Sequence, residues 1–198
     1  MRLQEAKRDY YRGTAKKEGF RSRASYKLLE INNSYHVILR GMYVVDLGCA
    51  PGGWLQVARK AVGPSGKVLG IDLRAIDPLS NVQFIQGDLD DNFLAEKILD
   101  TIGRKINVLL SDVAPNVSGI WQLDHARQIS LTRNAVSIAE RILVKNGSAV
   151  LKAFEGEMFN ELRDELKRKF KSVHLYKPRS SRKTSSEMYF VCLGYNGS

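Results

Sequence analysis

The sequence predicts an α/β fold: a mostly parallel seven-stranded sheet with helices on both faces and an antiparallel edge strand. Three observations carry this. Short apolar runs alternate with segments of helical period through the centre of the chain, which requires right-handed crossovers and a covered parallel sheet. Seven such runs occur: MYVVDL, KVLGIDL, VQFIQGDL, INVLLSDV, GSAVLKAF, SVHLYK and EMYFVCLGY. The last two are separated only by KPRSSRKTSS, too short for a helical crossover, so they are expected to pair antiparallel at one edge.

The elements follow in order. SRASYKLLEINNSY reads as a helix ahead of the sheet, starting near Ser22 or Ser25. GWLQVARKAV follows the first strand, NFLAEKILDTI the third, WQLDHARQISLTRNAVSIAERILVK the fourth and MFNELRDELKRKF the fifth, each with helical spacing of its apolar residues. The last two runs are rich in β-branched and aromatic residues, as strands are. No repeat or low-complexity tract interrupts the pattern, and 198 residues fit one domain.

Composition narrows the function classes. A hydrophobic fraction of 43% supports a packed core. No run of eighteen apolar residues is present, so no membrane span is expected, and the basic, polar N-terminus does not read as a secretory signal. Cys49 and Cys192 are isolated, without metal-ligand spacing, and fit a reducing cytoplasm. The net charge of +10 is unevenly placed. Residues 1–40 carry ten Lys/Arg against four Asp/Glu, residues 41–159 twelve against thirteen, and residues 160–198 nine against four. A neutral centre with two basic ends predicts that the ends converge on a polyanion, of which nucleic acid is the commonest. Solvated surface lysines would give the same count.

In an open α/β sheet, ligands bind outside the carboxyl ends of the strands. Four central runs end there in an acid: Asp46, Asp72, Asp88 and Asp112. A lone Asp at such a place is usually a cap or turn residue, and Asp88 is the one best explained so. Together the four form a rim that repels a pyrophosphate. The bend GCAPGG also lacks the spacing of dinucleotide sites and of P-loops, and Pro51 removes one backbone donor. The ligand expected is nucleoside-like, cationic and free of phosphate, which S-adenosylmethionine satisfies. Gly48, Gly52 and Gly53 would let backbone approach it, and the following helix start suits its carboxylate. Asp72 lies 24 residues beyond Gly48, near the spacing at which an acid takes ribose hydroxyls, and Asp88 would accept from the adenine amine. The cofactor set is Asp46, Gly48, Pro51, Gly52, Gly53, Trp54, Asp72, Leu73, Asp88, Leu89 and Asp112.

Three further ionisable residues stand in unusual settings. Lys152 ends an apolar strand, Glu187 opens the last strand after a basic loop, and Lys27 lies in RSRASYKLLE. Singly, each has an ordinary reading: snorkelling, pairing with a nearby arginine, a wet helix face.

In this order, RSRASYKLLEI, VVDLGCAPGGW, LLSDVAPNVSG, VLKAFEGE and SSRKTSSEMYFV resemble the RrmJ/FtsJ family of RNA ribose 2′-O-methyltransferases. The resemblance runs from about residue 10 to the C-terminus. It implies a Rossmann-like S-adenosylmethionine-dependent methyltransferase fold, and its Lys-Asp-Lys-Glu tetrad falls on Lys27, Asp112, Lys152 and Glu187. A 2′-hydroxyl is a poor nucleophile and a sulfonium methyl a strong electrophile, so alignment and proton removal are what the protein must add. Lys152 would act either as a base, its pKa lowered by burial, or as the cation that stabilises the forming alkoxide. Asp112 would orient it, and Glu187 and Lys27 would hold the ribose. His36, His125 and His174 show no metal-ligand spacing, so no metal is expected.

The resemblance further implies a monomer of one domain over residues 1–198, with residues 1–40 a basic extension and helix contacting RNA. Tyr10, Tyr11 and Phe20 would stack on bases. The implied substrate is a ribose, expected on a uridine, in large-subunit ribosomal RNA, free or within a ribosomal particle. A tRNA substrate and a catalytically inert RNA-binding module on the same fold are the alternatives, with a nicotinamide-dependent dehydrogenase behind them.

Overall fold

The computed structural model describes residues 13–181 and 185–197. Tyr10, Tyr11, Arg182 and Lys183 lie outside them. Helix α1 (Ser25–Tyr35) precedes strand β1 (Tyr43–Leu47); α2 (Gly53–Val62), β2 (Lys67–Asp72), β3 (Gln83–Gln86), α3 (Leu94–Ile102), β4 (Ile106–Ser111), α4 (Trp121–Ile142), β5 (Leu143–Phe154), α5 (Phe159–Lys169), β6 (Phe170–Tyr176) and β7 (Glu187–Tyr195) follow. Helix ends carry expected signals: α3 stops at Gly103, whose left-handed backbone returns its N–H to the Leu99 carbonyl. Helix α4 has Asp124 in its first turn and Arg141 in its last, matching the helix dipole.

The seven strands form one sheet in the order β3-β2-β1-β4-β5-β7-β6. All neighbours from β3 to β5 are parallel, and β7 pairs antiparallel with both β5 and β6. The expected antiparallel pair is thus at one edge, but its reversed member, β7, is inserted and β6 is outermost. Both faces are buried, which is why the strands read as continuous apolar runs. Val45 and Leu47 pack with α3, α4 and α5, whereas Val44 packs with α1 and α2.

This order fixes where a ligand can sit. Between β1 and β4 the strand order reverses, opening a crevice at their carboxyl ends, above Leu47 and Ser111. Because β7 runs against the others, its first residues reach the same edge.

The aromatic centre of the edge pair is Phe190, fully buried and stacked on Phe159 with ring centroids 4.7 Å apart. Replacing Phe190 by Ala should cost about 3–5 kcal/mol, read as a lower denaturant midpoint at an unchanged slope.

Candidate active site

The four residues of the tetrad arrive from four elements and meet at the carboxyl edge. Lys27 comes from the first turn of α1, Asp112 from just after β4, Lys152 from β5 and Glu187 from the start of β7. Lys27 Nζ donates to both Glu187 oxygens at 2.7 and 2.8 Å. Lys152 Nζ lies 3.3 Å from Asp112 Oδ1 and 3.5 Å from Glu187 Oε2. Lys27, Lys152 and Glu187 are each less than 10% exposed. Two ammonium groups and two carboxylates thus balance in a nearly dry site, the condition under which buried charges are tolerated.

Strand register explains the placement. Lys152 is the cross-strand partner of Tyr189, and Phe154 that of Glu187, so these four side chains belong to one side of the β5–β7 pair. Tyr189 is a member of the network that the sequence reading missed. Its hydroxyl donates to Asp112 Oδ1 at 2.6 Å and accepts from Lys27 Nζ at 3.0 Å. The signal was its spacing, two residues beyond Glu187 on one strand.

A supporting layer was also missed. Gln128 Nε2 and Thr132 Oγ1, one turn apart on α4, both donate to the Lys152 carbonyl. Ser181 Oγ donates to Glu187 Oε1 at 2.8 Å. Polar residues at i and i+4 on an otherwise apolar helix face are the readable trace of this layer.

The network sets charge states. Burial pulls the Lys152 ammonium down, but the Asp112 and Glu187 carboxylates outweigh it, and its pKa stands above the ordinary lysine value. Burial likewise raises Glu187, yet Lys27 and Lys152 hold its carboxyl below the usual range. Burial first, then Asp112 and Glu187, push Tyr189 well up, so it remains a phenol that donates. Of the two roles open to Lys152, base or cation, the network favours the cation, because its two acids outweigh desolvation.

Beside the tetrad, a cavity is lined by Asp46, Gly48, Pro51, Gly53, Trp54 and Asp112 of the expected cofactor set, together with Ser22 and Ala24. Asp46 is fully buried, and neither of its carboxylate oxygens has a hydrogen-bond partner. Burial, then Asp112 and Asp72, raise its pKa well above the carboxylate range. Gly48 has φ of +72°, and a Cβ there would stand 2.5 Å from Val113 Cγ2. Glycine is thus required there by the packing of Val113, and the unpartnered buried acid beside it fits a cationic ligand.

The remaining expected cofactor residues lie outside that lining. Asp72 accepts from Ala50 N at 2.8 Å and Arg74 N at 2.9 Å, bracing the bend. Gly52, at φ +104°, lies under the Arg21 side chain. Leu73 is 61% exposed beyond β2. Asp88 and Leu89 follow β3, and Asp88 is exposed, its Oδ1 accepting from Asp90 N in the turn geometry that a lone Asp favours. Trp54 donates from Nε1 to the Ala24 carbonyl and packs 5.8 Å from Tyr189, tying cavity to tetrad. Cys49 is buried, and burial, then Asp46 and Asp72, raise its thiol. Among the described residues no group of three or more His, Cys, Asp or Glu is placed to hold a metal.

The basic ends divide. Strand β6 runs parallel to β1–β5, so Lys167, Arg168, Lys169 and Lys171 sit at the edge opposite the tetrad; Lys169 pairs with Glu140 and Lys171 with Asn146. Lys177 and Arg179 lie at the tetrad edge. Arg21, expected on an RNA face, donates to the carbonyls of Pro51, Asp77 and Pro78, so its charge reversal would disturb the bend. Phe20 packs edge-on against Tyr26 and is half-buried.

Asp46 gives a pH test. A carboxyl whose folded pKa is raised costs stability when ionised, so the protein should gain stability as pH falls from that raised value toward the unfolded one. It should lose stability again lower, as Glu187, held below its unfolded value, protonates. Asp46→Asn should abolish the first rise and raise Tm at neutral pH by about 2–4 °C, for a gain on the order of 1 kcal/mol. Thermal melts across pH would read both.

Comparison with known proteins follows the same lines. The model of the FtsJ-like methyltransferase family matches residues 20–195. A protein of Nitrosopumilus maritimus named ribosomal RNA large subunit methyltransferase E is 47% identical over the whole length of both chains. One of the same name from Methanothrix thermoacetophila is 50% identical over 93% of this chain and 71% of its own. The crystal structure of a Plasmodium falciparum protein described as a ribosomal RNA methyltransferase superposes with a TM-score of 0.82 at 33% identity, covering 90% of this chain and all of that one. With its Rossmann-like sheet and its buried Lys-Asp-Lys-Glu network, this chain belongs to the FtsJ-like methyltransferase family.

Proposed function

We propose that this protein transfers a methyl group from S-adenosylmethionine to a ribose 2′-hydroxyl of large-subunit ribosomal RNA, on a uridine. The observation that carries the reading is the closed network of Lys27, Asp112, Lys152, Glu187 and Tyr189 beside a cavity whose one unpartnered acid is Asp46. The names of the relatives support ribosomal RNA over tRNA as substrate. An inert module is disfavoured, because three buried charges and a half-buried fourth are costly to hold and a packed apolar core would bind RNA no worse. Two buried free cysteines support a reducing cytoplasm. Among the described residues no helix is long and apolar enough to cross a membrane.

S-adenosylmethionine, when bound, supplies an electrophilic methyl group. Asp46 would take its ammonium, Asp72 its ribose hydroxyls, and the Gly48 bend would admit its backbone-facing side, with Leu73 and Leu89 offering apolar contact to the base. Lys27 and Glu187 would hold the substrate ribose. Lys152 Nζ, kept cationic by Asp112 and Glu187, would donate to the 2′ oxygen and stabilise its negative charge as its proton passes to solvent hydroxide and the oxygen takes the methyl group. The raised pKa of Lys152 favours this role over that of a base. With that assignment the rate should keep rising with pH above neutrality, instead of levelling where a tuned lysine base titrates, about 7–8.

Replacing Lys152 by Ala should lower the single-turnover rate of 2′-O-methylation on unmodified large-subunit rRNA roughly 10²–10⁴-fold. Affinity for cofactor and for RNA should stay within a few-fold. Near wild-type turnover by this variant would remove Lys152 from the chemistry.

RNA contact is proposed on the tetrad edge alone. Charge reversal at Lys177 and Arg179 should weaken RNA binding and flatten its salt dependence, each lost phosphate contact reducing the log–log slope by about one. The same change at Lys167 and Arg168 should leave both unaltered.

A further inference from the structure

The segment between β4 and α4 (residues 112–120) leads into an aromatic pair that the chemistry above does not use. Trp121, the first residue of α4, is 45% exposed. Its ring lies 6.1 Å from that of Phe154 at 24°, and 5.8 Å from that of His125 at 22°. A large ring set at a shallow angle to two neighbouring rings, with nearly half of its surface in water, is unusual in a chain that buries its remaining tryptophan.

The pair is rigid. His125 is buried, and its Nε2 accepts from Met158 N at 3.1 Å. The loop ahead is held by Asp124, whose carboxylate accepts from Ser118 N at 2.8 Å, Ser118 Oγ at 2.7 Å and Gly119 N at 3.1 Å. The pair also adjoins the tetrad. Phe154 follows Lys152 by two residues on β5, about 7 Å along the strand, and is the cross-strand partner of Glu187. A nucleotide whose ribose engages Lys152 and Glu187 therefore puts a neighbouring base within reach of these rings.

We propose that Trp121, backed by Phe154, is the stacking platform for the nucleobase flanking the methylated ribose. The inference rests on the RNA methylation proposed above and names the group that holds the strand in register over the tetrad. Single-stranded RNA is read in this way: bases splayed from the strand stack on aromatic faces that accept any base. The preformed stack spares the ordering cost a mobile side chain would bear.

The test uses the full chain, unmodified large-subunit rRNA and a short oligouridylate. Trp121→Ala should raise the RNA Kd by about 5- to 150-fold, the range of one lost base stack. Cofactor affinity should stay unchanged, and Trp121→Phe should restore most of the RNA affinity. Oligouridylate should quench the intrinsic fluorescence of the wild type, whose other tryptophan is buried, and leave that of Trp121→Phe unquenched. An active wild type with Trp121→Ala binding RNA as tightly, or with quenching that persists in Trp121→Phe, overturns the platform and leaves the proposed function standing. A wild type that neither binds nor methylates this RNA overturns both.

Discussion

Everything at the carboxyl edge depends on one electrostatic constraint: more carboxyl groups are buried there than the protein itself provides partners for. Lys27 and Lys152 balance Glu187 and Asp112. Asp72 is compensated by two backbone amides. Asp46 has nothing, and its raised pKa records that deficit. A buried carboxyl group without a partner is costly to ionise, and such groups cluster where a function needs them. That deficit suits a cationic cofactor better than a phosphate.

The fold creates the constraint by topology. Reversal of strand order between β1 and β4 brings Asp46 and Asp112 to one crevice. Insertion of the reversed strand β7 beside β5 turns its amino-terminal end toward the same crevice, so Glu187 and Tyr189 complete a site whose other members come from parallel strands and α1. A parallel strand at that position would present Tyr195 there instead. Trp54 and Ser25 then lock α1 to the glycine bend, through the Ala24 carbonyl and the Gly53 carbonyl, so Lys27 is placed by the same loop that shapes the cavity.

What was legible in the sequence follows from this division. The strands and helices could be read because each apolar run must satisfy both covered faces, and the acids stood out because they end those runs. The tetrad needed the ordered motifs of a family, since Lys27 and Glu187 are separated by 160 positions and nothing local joins them. Tyr189 was hidden as one more aromatic residue in a strand, and Gln128 and Thr132 as ordinary helix polars. The basic ends misled because composition does not say which edge of a sheet a residue occupies. Strand direction does, and it sends Lys167 to Lys171 away from the site. Arg21 reads in sequence as a free surface cation, yet its guanidinium donates to the backbone carbonyls of Pro51, Asp77 and Pro78.

The central claim is that Asp46 is the acid awaiting the cofactor's positive charge. Titration calorimetry of S-adenosylmethionine in buffers of differing ionisation enthalpy measures it most directly, at mildly acidic pH where the cofactor's ammonium is already protonated. Asp46, its pKa raised by burial, should ionise as the cation arrives, so binding should release protons, and Asp46→Asn should bind more weakly and release none. Binding without proton release in the wild type, or release that survives in Asp46→Asn, would contradict the account.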